Sequence, residues 1–385
     1  MINEFVFPAL FIFAVTQILF TFAGYPALMF AISRLWPRPP VRAGLRPRVS
    51  LIIAARNEKR DIAAKLENAL ALDYPKDLLQ IIVASDSSED GTDEIVGGFA
   101  DRGVALSRQN ARAGKTRAQH RAALVSNGDI LVFSDATTRL EPDALRKLLR
   151  AFADPSVGCV AGRLAYRSEG SSAVAAGCLS YWDYESLLKS WESAAGSLVG
   201  VSGCFYAVRR SCHAKLASDM IDDFAIATEM RLQGLRAVYE PEAVCSESAN
   251  HRGRDEFHMR VRVIEQTMNA LQRYSRLLNA RTHGMFKFQV FCHKTLRYSI
   301  PLPLLLAFIA NALALGAGHF YQYAFFGQIL FYLSAFIGWR GARSGVEIGP
   351  LALPYYFVLV NAAAAVAFVK FMRGEAHVVW EPLRD

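Results

Sequence analysis

Residues 5–33 (FVFPALFIFAVTQILFTFAGYPALMFAIS) carry no charged side chain. A helix needs roughly 20 apolar residues to cross the hydrocarbon of a bilayer, so this run is long enough to span one. A cleaved signal peptide would start with basic residues and hold a shorter apolar core, roughly 7–15 residues. Here Asn3 and Glu4 precede the run, and Arg34, Arg38, Arg42, Arg46 and Arg48 follow it. Basic flanks stay in the cytosol, so residues 1–36 are expected to be a retained anchor with the following chain cytosolic. Three further runs, 299–318, 321–339 and 351–371, hold no charge before Lys370 and predict about three C-terminal spans within 299–372. Arg340 and Arg343 put the loop between the last two in the cytosol and the turn near His319 outside. Four spans would leave both termini external, whereas Arg373 and Arg384 in the tail (373–385) favour a cytosolic C-terminus. The sequence alone leaves that parity open.

Composition narrows what lies between. The six cysteines show neither CxxC pairing nor metal-ligand spacing, and they read as small buried side chains in a reducing compartment. A net charge of +8 suits nucleic acid, anionic lipid or a diphosphate equally. The basic residues crowd into 252–297, beside the apolar runs, which fits lipid headgroups or phosphate rather than a nucleic-acid groove.

From 49 to 150 short β-rich apolar runs alternate with helical patterns. Residues 49–55 (VSLIIAA), 80–85 (QIIVAS) and 130–134 (ILVFS) read as buried strands. A helical pattern runs through Ile62, Leu66, Ala69 and Leu70, Asp90 stands where a helix would start, and Pro142 suits a first helical position. The alternation predicts a doubly wound, mostly parallel α/β sheet, in which ligands bind beyond the carboxyl ends of the strands. Those ends are acidic. Arg56, Asn57 and Glu58 follow the first strand, Asp86 the second and Asp135 the third. Each also suits a turn or cap. Together they suit a ligand offering base and ribose donors, with a metal to offset the charge. Two imitations fail: an EF-hand loop from Asp86 would need a glutamate at Gly97, and a P-loop ending in Gly114-Lys115-Thr116 would need a glycine at Gln109.

In order and spacing these motifs resemble inverting family 2 glycosyltransferases of the GT-A (nucleotide-diphospho-sugar transferase) fold. The similar group is membrane-bound and includes cellulose synthase-like and ceramide glucosyltransferase-like enzymes. The resemblance covers about residues 48–298. It implies that Arg56, Asn57 and Glu58 bind the nucleotide base, that Asp86 binds uracil or ribose, and that Lys115 approaches the donor. Asp135 falls at the first acid of the family's DxD metal motif. Thr137 replaces the second, and a hydroxyl is a poorer ligand for a hard cation. The resemblance therefore implies Mg²⁺ or Mn²⁺ held by Asp135 with the diphosphate and waters. Gly203 matches the acceptor-side glycine, although a strand bulge would also explain it. Asp222-Asp223 matches the acidic pair whose second member is the general base, although aspartates also favour helix N-termini.

Polymerising members carry a QxxRW signature, which is absent here. His258-Met-Arg260-Val-Arg262 stands in its region, with His258 and Arg262 four apart on one helix face and Arg260 on another. Arg262 is expected to stabilise the departing diphosphate, and Arg260 joins the expected donor-binding set. Aromatics mixed with Lys287, Lys294 and Arg297 make 276–298 an interfacial amphipathic segment after a cytosolic domain at 37–275. The resemblance implies a multi-pass enzyme of the inner or plasma membrane. It would move one sugar from a nucleotide-sugar donor, a UDP-sugar by this reading, to a lipid or lipid-linked acceptor, with no nucleic-acid partner. A processive polysaccharide synthase and a silent nucleotide-sugar-binding scaffold are the alternatives.

Overall fold

A computed structural model describes residues 5–167, 173–217, 219–249, 252–275, 280–344 and 349–375. Residues 376–385, with Arg384, and 276–279 of the expected interfacial segment lie outside them. Eight strands form one sheet: β1 (Val49–Ala55), β2 (Leu79–Ser85), β3 (Val104–Arg108), β4 (Ile130–Asp135), β5 (Arg139–Leu140), β6 (Val157–Arg167), β7 (Phe205–Arg209) and β8 (Arg236–Ser248). Their order is β3-β2-β1-β4-β7-β6-β8-β5. The three strands expected from sequence lie where the apolar runs put them and pair in parallel. The sheet as a whole is mixed rather than mostly parallel, because β7 runs antiparallel to both β4 and β6, and β5 antiparallel to β8.

This register gathers the strand ends. Ala55 faces Ser85, and Ala54 faces Asp135, so the loops after β1, β2 and β4 leave one edge together. The reversal of β7 brings its start to that same edge, with Phe205 opposite Ser134. β8, parallel to β6, delivers Glu247 there as well.

Helices in chain order are α1 (Phe7–Leu19), α2 (Tyr25–Leu35), α3 (Ile62–Leu70), α4 (Thr92–Gly97), α5 (Lys115–Leu124), α6 (Ala144–Leu149), α7 (Ala173–Ala195), α8 (Asp222–Leu232), α9 (Gly253–Ser275), α10 (Ala280–Val290), α11 (Pro301–Leu313), α12 (His319–Arg343) and α13 (Ala352–Met372). Successive side chains of a strand face opposite sides, so β1 feeds two cores. Leu51 and Ile53 pack with Leu66 of α3 and Leu145 of α6, while Ile52 packs with Phe133 and with Phe224 of α8. Burial on both faces is why β1 reads as an unbroken apolar run. Pro142 is not at N1: α6 starts at Ala144, and the Pro142 carbonyl accepts from the Asp73 N–H at 2.8 Å. Asp90 precedes α4 by two residues, and its carboxylate accepts from the Thr92 N–H at 3.0 Å.

Among the described residues three helices are long and apolar enough to cross a membrane: Phe7–Leu35, His319–Arg343 and Gly349–Met372. The first joins α1 and α2 through a π-helical turn, Phe20–Gly24. The run expected at 299–318 contains the 13-residue α11 and the short 3-10 turn Leu315–Ala317; α11 is bent by 58° from the helix before it, and the two together are apolar enough to make one broken span. α11 nonetheless travels beside α1 in the opposite direction. Gln17 reaches Ser299 at 3.5 Å, and farther along Phe11 packs on Phe320 and Tyr321. α12 returns, bringing Trp339 against Val174 of α7 and Tyr355 of α13. α13 then lies parallel to α9. The Tyr355 hydroxyl sits over Gly253, Tyr356 accepts from Arg260 at 2.7 Å, and Ala363, Ala364 and Ala367 pack on Val261, Ile264 and Met268. Near its end Phe371 shares a pocket wall with Phe224 and Tyr274. Both ends of α13 therefore rest against the α/β domain.

Candidate active site

The loop after β1 is stitched to the loop after β2. Asn57 adopts φ 53°, a left-handed conformation that asparagine tolerates better than most side chains. Its N–H donates to Ser88 Oγ at 3.1 Å, and its Oδ1 accepts from the Glu89 N–H at 2.8 Å. The buried Arg56 donates to the Asp86 carbonyl at 3.1 Å, and the Glu58 N–H donates to Thr92 Oγ1 at 2.7 Å. The Asp86 carboxylate accepts from the backbone N–H groups of Ala113 (2.8 Å) and Gly114 (2.9 Å) and from Gln109 Nε2 (3.0 Å). Asp86 thereby ties down the loop that ends at Gly114. With φ 92°, Gly114 makes a turn that an L side chain would strain, and Lys115 begins α5 directly after it.

Lys115 is the hub of the crevice. Its Nζ lies 2.7 Å from Asp135 Oδ1 and 3.6 Å from Asp222 Oδ2, and it donates to the Gly203 carbonyl at 3.1 Å. Burial pushes its pKa down, but the Asp135 and Asp222 carboxylates outweigh burial and hold the ammonium well above its ordinary value. Burial pushes Asp222 up, aided by the charges of Asp223 and Asp135 and opposed by Lys115. A β-carbon on Gly203 would stand 3.2 Å from Asp222 Oδ1, so a bare backbone here leaves room for that carboxylate. Arg262 is half-buried. Burial pulls its pKa down while Asp135 and Asp222 push it up, which sets the guanidinium within electrostatic reach of the same pair.

The two adjacent aspartates at the start of α8 face different spaces. Asp222 turns to Lys115 and Gly203. Asp223, whose Oδ1 accepts from the Phe224 N–H at 2.6 Å, lines a cavity of about 680 Å³ shared with Lys189, Lys294 and Arg260. Arg260 is not brought to the strand-end crevice. It pairs with Glu256 at 2.8 Å, donates to Tyr356 and lies 4.3 Å over the Tyr181 ring, which fixes α9 against α13 and α7. His258 is exposed.

Two residues at the site were not anticipated from sequence. Glu247, at the end of β8, accepts from the Thr138 hydroxyl and, at 3.4 Å, from Thr137 Oγ1. Burial and then the Asp135 charge push its carboxyl up, so two carboxylates face the position where the motif carries threonine. Lys65, fully buried on α3, donates to Ser134 Oγ and to the Thr138 carbonyl, each at 2.7 Å, and so braces the loop bearing Asp135. Neither has a local sequence signal; both reach the site across the fold.

Among the described residues no group of three or more acidic, histidine or cysteine side chains forms a ready cation cage. Glu247, the Thr137 hydroxyl and Asp135, which also pairs with Lys115, offer an oxygen-only donor set. That set fits Mg²⁺ or Mn²⁺, which commonly bind through one or two carboxylates plus phosphates.

A mixed α/β sheet with acidic strand ends around a half-buried lysine, and an aspartate pair at the start of a helix, make up a GT-A-like fold with a charged crevice at the strand ends. Residues 50–216 match the family model described as Glycosyl transferase family 2. The poly-beta-1,6-N-acetyl-D-glucosamine synthase of Staphylococcus aureus is 27% identical over 215 residues, 54% of this chain and 52% of its own. The probable glycosyltransferase YdaM of Bacillus subtilis is 30% identical over 197 residues, 48% of this chain and 46% of its own. The chain thus spans about half the length of these curated relatives. The solved mannosyltransferase PcManGT of Pyrobaculum calidifontis, in complex with GDP-Man and Mn²⁺, shares the fold over 95% of this chain and 99% of its own, with a TM-score of 0.71 at 24% identity.

Proposed function

We propose that the chain is an inverting glycosyltransferase of the membrane-bound, cellulose synthase-like and ceramide glucosyltransferase-like group. It moves a single sugar from a UDP-sugar to a lipid or lipid-linked acceptor at the cytosolic membrane face. The observation that carries this reading is the orientation of the aspartate pair: Asp222 faces the strand-end crevice, and Asp223 faces the cavity against the apolar helices. The donor lies in the crevice, with its base near Arg56, Asn57 and Glu58, its ribose near Asp86 and its diphosphate near Lys115 and Arg262. The acceptor hydroxyl enters from the cavity. Its oxygen attacks the anomeric carbon as the bond to the diphosphate oxygen breaks, and its proton passes to Asp223. Lys115 and Arg262 stabilise the negative charge that collects on the departing nucleoside diphosphate. A divalent cation held by Asp135 and Glu247 would, when bound, neutralise part of that charge.

Packing also supports a topology. The helix Phe7–Leu35 and α12 are each long enough to cross the bilayer, α11 enters it beside α1 as one half of a bent pair, and α13 lies along α9 at the cytosolic surface. Arg340, Arg343 and Arg373 then share the cytosolic side with the catalytic domain, as basic residues prefer.

A processive synthase is the second reading, favoured by the likeness to the Staphylococcus aureus synthase. The absence of QxxRW favours single transfer. Purified chain in nanodiscs, given labelled UDP-sugars and membrane lipid extract, is expected to yield a lipid-extractable product of discrete size. A ladder of polymer would favour the second reading.

A further inference from the structure

The cavity behind Asp223 joins two kinds of wall. On the side of the apolar helices it is lined by Phe22, Phe331, Phe357 and Val360. On the side of the α/β domain it is lined by Asp223 and cationic side chains of α7, α9 and the π-helical turn 291–296 that follows α10. Most of those cations are already matched. Arg297 pairs with Glu185, Arg260 with Glu256, and His293 with Glu192 at 2.7 Å. Tyr25 of α2 donates to the same Glu192 at 2.5 Å, so this network also pins the first apolar helix to α7.

Two lysines are left over. The buried Lys189 donates to Ser202 Oγ at 3.0 Å and lies 5.1 Å over the Trp182 ring, with no carboxylate at ion-pair distance among the described residues. An ammonium has three donors, so two remain unassigned. Lys294 has neither a carboxylate at ion-pair distance nor a hydrogen-bond partner among the described residues. Its Nζ would lie 3.7 Å from a β-carbon on Gly200, next to the Asp223 carbonyl at 3.8 Å. Burial lowers the pKa of Lys189 despite the opposing charges of Glu185 and Asp223. At Lys294 burial acts the same way, but Tyr298, Asp223 and Glu185 outweigh it and raise the pKa. With Glu185 engaged by Arg297, the two ammonium groups share the one remaining carboxylate, Asp223, so an anion beside Lys189 would offset the cost of its burial.

We propose that this cavity takes a lipid whose headgroup bears a phosphate, with Lys189 and Lys294 binding the phosphate oxygens and a headgroup hydroxyl directed at Asp223. The inference rests on the lipid-acceptor reading and adds the chemistry of the acceptor: its nucleophilic hydroxyl lies within about one sugar of a phosphate. The volume of about 680 Å³ falls within the range of ligand pockets, roughly 300–1,000 Å³, and the aromatic wall accepts the first methylenes of the chain.

The test uses the full chain in phosphatidylcholine nanodiscs, with dodecyl phosphate as probe and tryptophan fluorescence, to which Trp182 contributes, as readout. Wild type is expected to bind dodecyl phosphate at least about tenfold more tightly than uncharged dodecyl maltoside or inorganic phosphate. Lys189→Met combined with Lys294→Met should weaken dodecyl phosphate binding about tenfold or more, while the Lys189→Arg and Lys294→Arg pair retains it. UDP affinity serves as the fold control for both pairs. Equal binding of the phosphate and maltoside probes, or of wild type and the methionine pair, would overturn the inference, and inorganic phosphate binding as tightly as dodecyl phosphate would do so too. Transfer to an uncharged lipid by a phosphate-blind cavity would overturn it while leaving the lipid-acceptor reading intact. Product found only in the aqueous phase would overturn that reading itself.

Discussion

The strand-end crevice and the helix-lined cavity meet at two neighbouring residues, Asp222 and Asp223, yet they are built in opposite ways. In the crevice most functional groups come from strand ends, the loops that follow them and the starts of α5 and α8, and charges are closely matched: Lys115 sits between Asp135 and Asp222. In the cavity the polar groups come from mid-helix positions of α7 and α9 and from a π-helical turn, and among the described residues two lysines have no carboxylate at ion-pair distance. A matched site holds its shape without ligand. An unmatched one is completed by what it binds. The proposed function gives donor chemistry to the first region and acceptor chemistry to the second, and substitutions on either side can break that division.

The largest effect is expected at the boundary. Asp223→Asn should lower turnover about a thousandfold by removing the proton acceptor, with UDP affinity nearly unchanged in a calorimetric titration. A comparable loss of UDP affinity would erase the division between the two regions. Arg262→Ala should lower turnover by about a hundredfold, seen as a fall in kcat larger than any rise in KM. An equal change in both would assign Arg262 to uniform donor binding instead. Glu247→Gln should weaken Mn²⁺ binding in the presence of UDP by about tenfold, read by electron paramagnetic resonance. Unchanged Mn²⁺ affinity would leave Asp135 as the sole carboxylate ligand.

The smallest effect concerns stability. Burial lowers the pKa of Lys65 to about 8 from an ordinary 10.5. Between those values the unfolded chain binds the extra proton, so stability rises with pH across that window. Lys65→Met lacks this slope. Wild type should therefore gain melting temperature relative to the variant as pH rises from 8 towards 10.5. A constant difference would show that the lysine is charged throughout.

What was legible in the sequence follows the same division. Arg56, Asn57, Glu58, Asp86 and Asp135 could be found because each follows or ends a short, largely apolar strand, and such runs mark their own ends. Lys65, Lys189 and Glu247 could not be found that way. Lys65 and Lys189 lie inside helices, where a lysine ordinarily faces water, and Glu247 meets Thr138 across 109 residues of chain. The direction of β7 was hidden for a similar reason, since a five-residue strand buried along its length carries no mark of its neighbour's orientation. α13 shows the limit of composition. It is as apolar as a spanning helix, and its alanine face reveals its partner only when set against Val261, Ile264 and Met268 of α9.

In the proposed reaction an acceptor lipid reaches Asp223 from the membrane side while the donor stays in the crevice. The direct test is transfer from labelled UDP-sugar by nanodisc-embedded chain, with organic extraction and chromatography of the product. A single lipid-soluble species with inverted anomeric configuration is expected, lost in Asp223→Asn with UDP binding preserved. Label confined to the aqueous phase, or full transfer by Asp223→Asn, would contradict it.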